Sequence, residues 1–209
     1  MTYMDDAERE IGELVDGLSR IVVHRDPAAA VHLDATAALV ERLARELKLT
    51  AQATFRAAMA GRLHDLGMLA ISAEIIAKPG RPTRQERREL EMHPIYGASI
   101  LEGFGKLRQF AEIIRAHHER IDGKGYPYGL PEYDIPIEAK IVSVAEAFHA
   151  MTTDHAYAAA RTPQRALAEI HRYRGSQVDV AVVDALCRLM RWEPTVDDAD
   201  GEEQSPAAG

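Results

Sequence analysis

Apolar residues recur along this chain at steps of three and four, the spacing of amphipathic helices. Ile11, Leu14, Leu18 and Ile21 form the stripe of a predicted first helix. Asp26 and Pro27 offer an N-cap and first-turn pair for a second helix. That helix reaches to about Leu47 and carries Val31, Ala35, Leu39, Leu43 and Leu47 on one face. Thr50 can cap a third, predicted to end at Gly67 with glycine in the left-handed position. Lys78-Pro79-Gly80 reads as a turn, and Thr83 with Glu86 as a capping box. Pro94 is expected to break that helix just after His93. Phe110, Ile113, Ile114 and His117 mark a further helix. The stretch from Asp122 to Pro136 is rich in Gly, Pro and Tyr and predicts a long ordered loop. Helices follow over about 137–153, from a cap near Thr162, and over about 178–192. No strand alternation appears, so the predicted fold class is all-α. Residues 1–25 read as an N-terminal helix, 26–192 as the main domain and 193–209 as a disordered acidic tail.

At 209 residues and 46% hydrophobic content, the chain can bury one sizeable core. Of its formal charge of −8, six units come from acids after Trp192, so the body is nearly neutral. Broad electrostatic binding to DNA or to a lipid surface is not expected. Cys187, the only cysteine, lies in an apolar run and reads as an inert thiol. Neither a signal peptide nor an apolar run of membrane-spanning length is evident, and a cytoplasmic location is expected.

The chemistry lies in the nine histidines and their carboxylate neighbours. His64-Asp65 and His117-His118 fall at predicted helix ends, and His93 precedes a proline at another. Side chains from several helices can therefore converge. Imidazole and carboxylate donors without thiolate suit Fe, Mn or Zn. A carboxylate such as Asp65 can bridge two ions about 3.5–4 Å apart, which hold a hydroxide and clamp a phosphodiester.

The order of these elements is distinctive: His64-Asp65-Leu66-Gly67, then Ile75 to Gly80, then His93-Pro94-Ile95-Tyr96-Gly97, then the continuous run His117 to Pro127. It resembles the HD-GYP family of the HD superfamily, over about Ala28 to Leu189. The resemblance implies an HD-domain helical bundle over 26–192, a bi- or trinuclear centre of Fe or Mn, and hydrolysis of cyclic di-GMP to linear pGpG or GMP. It places metal ligands on His64, Asp65, His93, His117 and His118, with His32 as an upstream ligand. Ala28 stands where trinuclear members have Glu, which favours two metals. The loop Asp122-Gly123-Lys124-Gly125-Tyr126-Pro127 resembles the substrate-side loop, which is also linked to docking of diguanylate cyclases. The resemblance makes Asp65 the residue that orients the nucleophile.

Several positions depart from the family pattern. Met68 replaces a phosphate-contacting Lys, and His155 a phosphate-contacting Arg. Glu146 and His149 replace two Asp, the first of them a ligand. Glu146 keeps a carboxylate and is read as a ligand. His149, three residues on and on the same helix face, either joins or supports the metal shell or simply fills the gap left by the Asp. Each lost cation is worth on the order of 3 kcal/mol of charge stabilisation, so slow turnover is expected. Of Lys78, Lys124 and Lys140, Lys124 is the favoured replacement, by its place in the loop. His24 and His171 read as exposed helix positions. The alternatives are a weak or inactive regulatory module that binds cyclic di-GMP or a protein partner, and the same chemistry on another nucleotide. The first helix is a candidate for homodimer formation.

Overall fold

The structure, a computed structural model, describes residues 6–27, 29–154 and 159–194. Ten α-helices are present among them: α1 (Asp6–Arg25), α2 (Ala29–Glu46), α3 (Ala51–Leu63), α4 (Ala73–Ile76), α5 (Arg84–Leu90), α6 (His93–Glu102), α7 (Ala111–Ala116), α8 (Ile137–Thr152), α9 (Pro163–Arg172) and α10 (Val180–Met190). Short 3-10 turns occupy Leu66–Ala70, Arg108–Phe110 and Glu132–Asp134. The described residues contain no strand, only one isolated bridge between Arg174 and Val178. The all-α expectation holds.

The core lies where α2, α3 and α8 pack together, with α6 and α7 closing one side. Leu33, Leu43, Leu63, Phe110, Ile114, Ile141 and Leu186 are almost wholly buried in it. Glu138 on α8 is buried too, and it is neutralised by Arg56 on α3. An unpaired carboxylate there would be costly, so this pair fixes how the two helices meet.

Helix α1 shares this core through Ile11, Val15 and Val22. Its buried stripe is therefore rotated from the predicted one, since Leu14 and Ile21 are 39% and 53% exposed. Val31 of α2 is likewise 71% exposed, and α2 starts at Ala29 after a turn closed on the Asp26 carbonyl. Periodicity alone did not choose between adjacent stripes. His171 is half-buried rather than exposed, its ring against that of Trp192.

Local signals were more reliable. Thr50 caps α3, Thr83 and Glu86 form the reciprocal capping box of α5, and Thr162 caps α9. Two expectations about helix ends need correction. Pro94 starts a helix rather than breaking one, because α6 begins at His93 and a first-turn proline loses no hydrogen bond. Gly67 is not left-handed, and α3 ends earlier, at Leu63. Gly67 sits instead where the 3-10 turn presses on α6, and a Cβ there would stand 1.8 Å from the His93 carbonyl oxygen. Ala28, His155 and most of the acidic tail lie outside the described residues.

Candidate metal centre

Three histidines are set by one repeated device. The Nδ1 of His64 faces the Gly61 carbonyl at 2.8 Å, that of His93 the Leu90 carbonyl at 2.8 Å, and that of His117 the Ile114 carbonyl at 2.6 Å. Each partner lies three residues earlier in the chain, on a turn of helix. A carbonyl can only accept, so in each ring Nδ1 carries a proton and Nε2 is the nitrogen that faces inward. His64 and His117 are the C-caps of α3 and α7, where no following turn blocks the ring. His93 reaches the same spot from the start of α6.

The inward nitrogens converge. His93 Nε2 and His117 Nε2 are 3.2 Å apart, and His32 Nε2 and His64 Nε2 are 3.3 Å apart. Two groups result, His93/His117/His118 and His32/His64/Asp65, each with its donor atoms within 4.8 Å of one another. Asp65 joins them. Its Oδ2 lies 3.3 Å from His64 Nε2 and 3.9 Å from His32 Nε2, while its Oδ1 lies 3.8 Å from His93 Nε2. Glu146 on α8 stands 3.8 Å from His118 Nε2, at the edge of the first group. All seven predicted ligands thus gather at one place. Lone pairs crowded this closely repel unless protons or cations sit between them, so the donor set fits divalent metal.

The charge states suit that role. Burial and the neighbouring imidazoles push His117 well below its ordinary value, and His118 down to about 3. Burial also lowers His93. These rings are neutral at pH 7 and ready to donate. Burial opposes ionisation of Asp65, but His64, His93 and His32 around it outweigh this and hold its carboxyl well below the usual range. Burial, with Asp65 adding to it, pushes Glu146 up to about 7.

His149 faces the back of His32. Their Nδ1 atoms are 3.0 Å apart, and Thr153 Oγ1 lies 3.3 Å from the same His149 nitrogen. His32 therefore meets the centre through Nε2 and His149 through Nδ1. This geometry suits support from behind the ligand, in the manner of a carboxylate behind a metal-bound imidazole.

The Gly/Pro/Tyr-rich loop closes over His118. The Tyr126 ring stacks on the His118 ring at 4.6 Å, and its N–H donates to the His118 carbonyl at 3.2 Å. Burial raises the Tyr126 hydroxyl well above its ordinary value, so it stays protonated. The Tyr126–Pro127 bond is cis. Glu119, next to the ligand pair and only 5% exposed, accepts from the N–H groups of Tyr128 at 2.8 Å and Leu130 at 3.0 Å. Sequence reasoning passed over Glu119, although its place directly after His117-His118 was a signal. A Cβ on Gly125 would meet Arg120 N at 2.4 Å, so the loop requires glycine there.

Asp122 is engaged within the loop, with Arg120 and with the Lys124 N–H at 3.1 Å. Lys124 itself is exposed. Lys78 is paired with Glu86, and Lys140 with Asp179 and Glu132, whereas Lys124 forms no close ion pair among the described residues. Met68 is half-buried beside Asp65, in the wall of a neighbouring cavity. Cys187 is half-buried and its thiol is pushed up by burial, in keeping with an inert role.

A family model described as an HD domain matches residues 16–182. The chain belongs to the HD-domain family. Membership implies dependence on divalent metal, in keeping with the histidine and aspartate cluster. Among its relatives, the cyclic di-GMP phosphodiesterase response regulator RpfG of Xanthomonas campestris pv. campestris is 35% identical over 190 residues, covering 90% of this chain and 50% of that protein. A cyclic di-GMP phosphodiesterase of Thermotoga maritima is 32% identical over 189 residues, covering 90% and 51%. A 3'3'-cGAMP-specific phosphodiesterase 3 of Vibrio cholerae is 30% identical over 191 residues, covering 91% and 41%. This HD-domain chain thus spans about half the length of the curated relatives it matches. Among solved structures, Bd1817, a HDG"Y"P protein from Bdellovibrio bacteriovorus, aligns with a TM-score of 0.64 at 20% identity, over 88% of this chain and 64% of that one. It shares the fold. Among the described residues, no helix is long and apolar enough to cross a membrane.

Proposed function

We propose that this HD domain is a metal-dependent phosphodiesterase that hydrolyses cyclic di-GMP. The observation that carries the reading is Asp65, whose two oxygens face two separate histidine groups. A phosphodiester needs its negative charge neutralised and a water activated, and a pair of divalent ions supplies both. His93, His117 and His118, with Glu146 beside them, would hold one ion, and His32 and His64 the other, with Asp65 as the carboxylate that would serve both. Two ions of Fe or Mn fit seven nitrogen and carboxylate donors.

The remaining residues position the reaction. The carbonyls behind His64, His93 and His117 stop the rings from turning. His149 holds His32. Tyr126 and the Glu119-anchored loop screen His118 from water and form one bank of the substrate site. Lys124 is the cation on that bank offered to the phosphate. The relatives named for cyclic di-GMP and 3'3'-cGAMP support a cyclic dinucleotide as substrate. The exposed part of the loop, with Tyr128 58% and Tyr133 86% exposed, is the surface proposed for a diguanylate cyclase partner. Leu14 and Ile21 on α1 are the corresponding candidates for a homodimer contact.

A second reading is favoured by Met68, which puts a neutral side chain beside Asp65 where the HD-GYP pattern has a cation. In that reading the domain binds the dinucleotide and turns it over little or not at all. Anaerobic assay with Fe(II) or Mn(II), following cyclic di-GMP, pGpG and GMP, separates the two. The phosphodiesterase reading expects metal-dependent loss of cyclic di-GMP. Binding without hydrolysis under both metals supports the regulatory reading.

A further inference from the structure

We infer that the cavity on the α1 side of the metal centre is a guanine-accepting subsite, with Arg25 as the residue that reads the base. This rests on the cyclic dinucleotide reading above and adds a second bank to the site, lined by none of the residues of the Gly/Pro/Tyr-rich loop. The cavity measures about 340 Å³, within the size range of small-ligand sites. Asp65 lies in its wall, so a substrate whose phosphate sits at the metals can extend directly into it.

The lining suits a flat base. Met68, Leu69 and Ile76 give it apolar walls, and the thioether of Met68 is a soft partner for an aromatic ring. Arg25 brings the cation. Its guanidinium donates to the carbonyls of Leu69 and Ile71, and these two contacts hold it at the cavity edge. No carboxylate pairs with it among the described residues. A guanidinium has five N–H donors and these bonds use two, so others remain for a ligand. The O6/N7 edge of guanine accepts two parallel bonds from Arg, whereas adenine presents a donor in place of O6. Met68 thus takes on a function of its own, as the wall under the base.

Equilibrium dialysis of GMP and AMP against the metal-free full chain tests this. Two variants are compared with wild type. Arg25→Ala removes the donor. Ala77→Trp fills the cavity from its exposed rim and leaves the core and Arg25 untouched, so it serves if the first variant does not fold. Wild type is expected to bind GMP at least tenfold more tightly than AMP, and each folded variant to weaken GMP binding at least tenfold. In the metal-loaded protein the ratio of kcat/KM for cyclic di-GMP over bis(p-nitrophenyl) phosphate, which has no base, should fall by a similar factor. No GMP binding by wild type, equal binding of AMP, or unaltered binding in the Ala77→Trp chain overturns the subsite. GMP binding without any turnover of cyclic di-GMP contradicts the proposed function and leaves the subsite standing.

Discussion

Gly67 and His93 touch so closely that a single added carbon would stand 1.8 Å from the His93 carbonyl oxygen. Gly67 lies two residues after Asp65, so this contact locks the Asp65 segment to the helix that carries His93. Gly97 packs into the same seam, where a Cβ would lie 3.1 Å from Gly67 N. Gly67→Ala must push the two segments apart. Its expected cost is at least about 2 kcal/mol, a melting temperature lower by about 5 °C or more. Metal content should fall with it. Thermal denaturation with and without Mn(II) checks this, and a fully stable Gly67→Ala protein that keeps its metal would refute the seam.

His149 supports His32 through Nδ1, so removing it should loosen a ligand and not delete one. The His149→Ala chain is expected to bind the same number of metals about 10–100-fold more weakly. His149→Asp, which restores an acceptor at that position, should recover most of the affinity. Metal titration decides between the roles: loss of a whole equivalent in His149→Ala would make His149 a direct ligand.

Glu119 tests how the substrate-side loop is held. Glu119→Ala leaves the N–H groups of Tyr128 and Leu130 without their acceptor. The expected loss is about 1–3 kcal/mol of stability, with KM for cyclic di-GMP raised more than kcat is lowered. Equal loss of kcat with KM unchanged would place Glu119 in the chemistry instead.

Above about pH 7.5, where His93, His117 and His118 are neutral in the folded and unfolded chain alike, the metal-free protein should lose stability as pH rises. Burial, with Asp65 adding to it, holds Glu146 up to about 7. Burial works against the charge on His64, but Asp65 beside it prevails and raises it to about 9. Both folded values exceed the ordinary ones. The stability tied to these protons is therefore complete below the ordinary values and is lost as pH passes about 7 and then about 9. Metal binds the deprotonated groups, so Mn(II) should stabilise more at pH 8 than at pH 6. Melting curves from pH 7.5 to 10 provide the check. A metal-free melting temperature that rises across that range contradicts the assignment.

The sequence showed the donors better than it showed their supports. His64-Asp65, His93 and His117-His118 stood out because of their order and chemistry, and the structure brings them together with His32 and Glu146. Capping residues such as Thr50 and Thr83 were legible because their signal is local. The carbonyls behind the rings were not, because every residue has one. Gly67 carried two readings, positive φ or close approach, and only the packing of a distant helix chose between them. Leu14 and Ile21 misled because stripes one residue apart on a helix have nearly equal apolar content. Arg25 had no local mark at all, since its partners Leu69 and Ile71 lie more than forty residues away.

Asp65 is the residue that would join the two histidine groups into one catalytic centre. Anaerobic metal analysis of wild type and Asp65→Ala, with cyclic di-GMP turnover on the same samples, tests it most directly. Two Fe or Mn ions per chain and metal-dependent hydrolysis are expected in wild type, with both the second ion and turnover lost in Asp65→Ala. Two ions and undiminished turnover in the Asp65→Ala protein would contradict it.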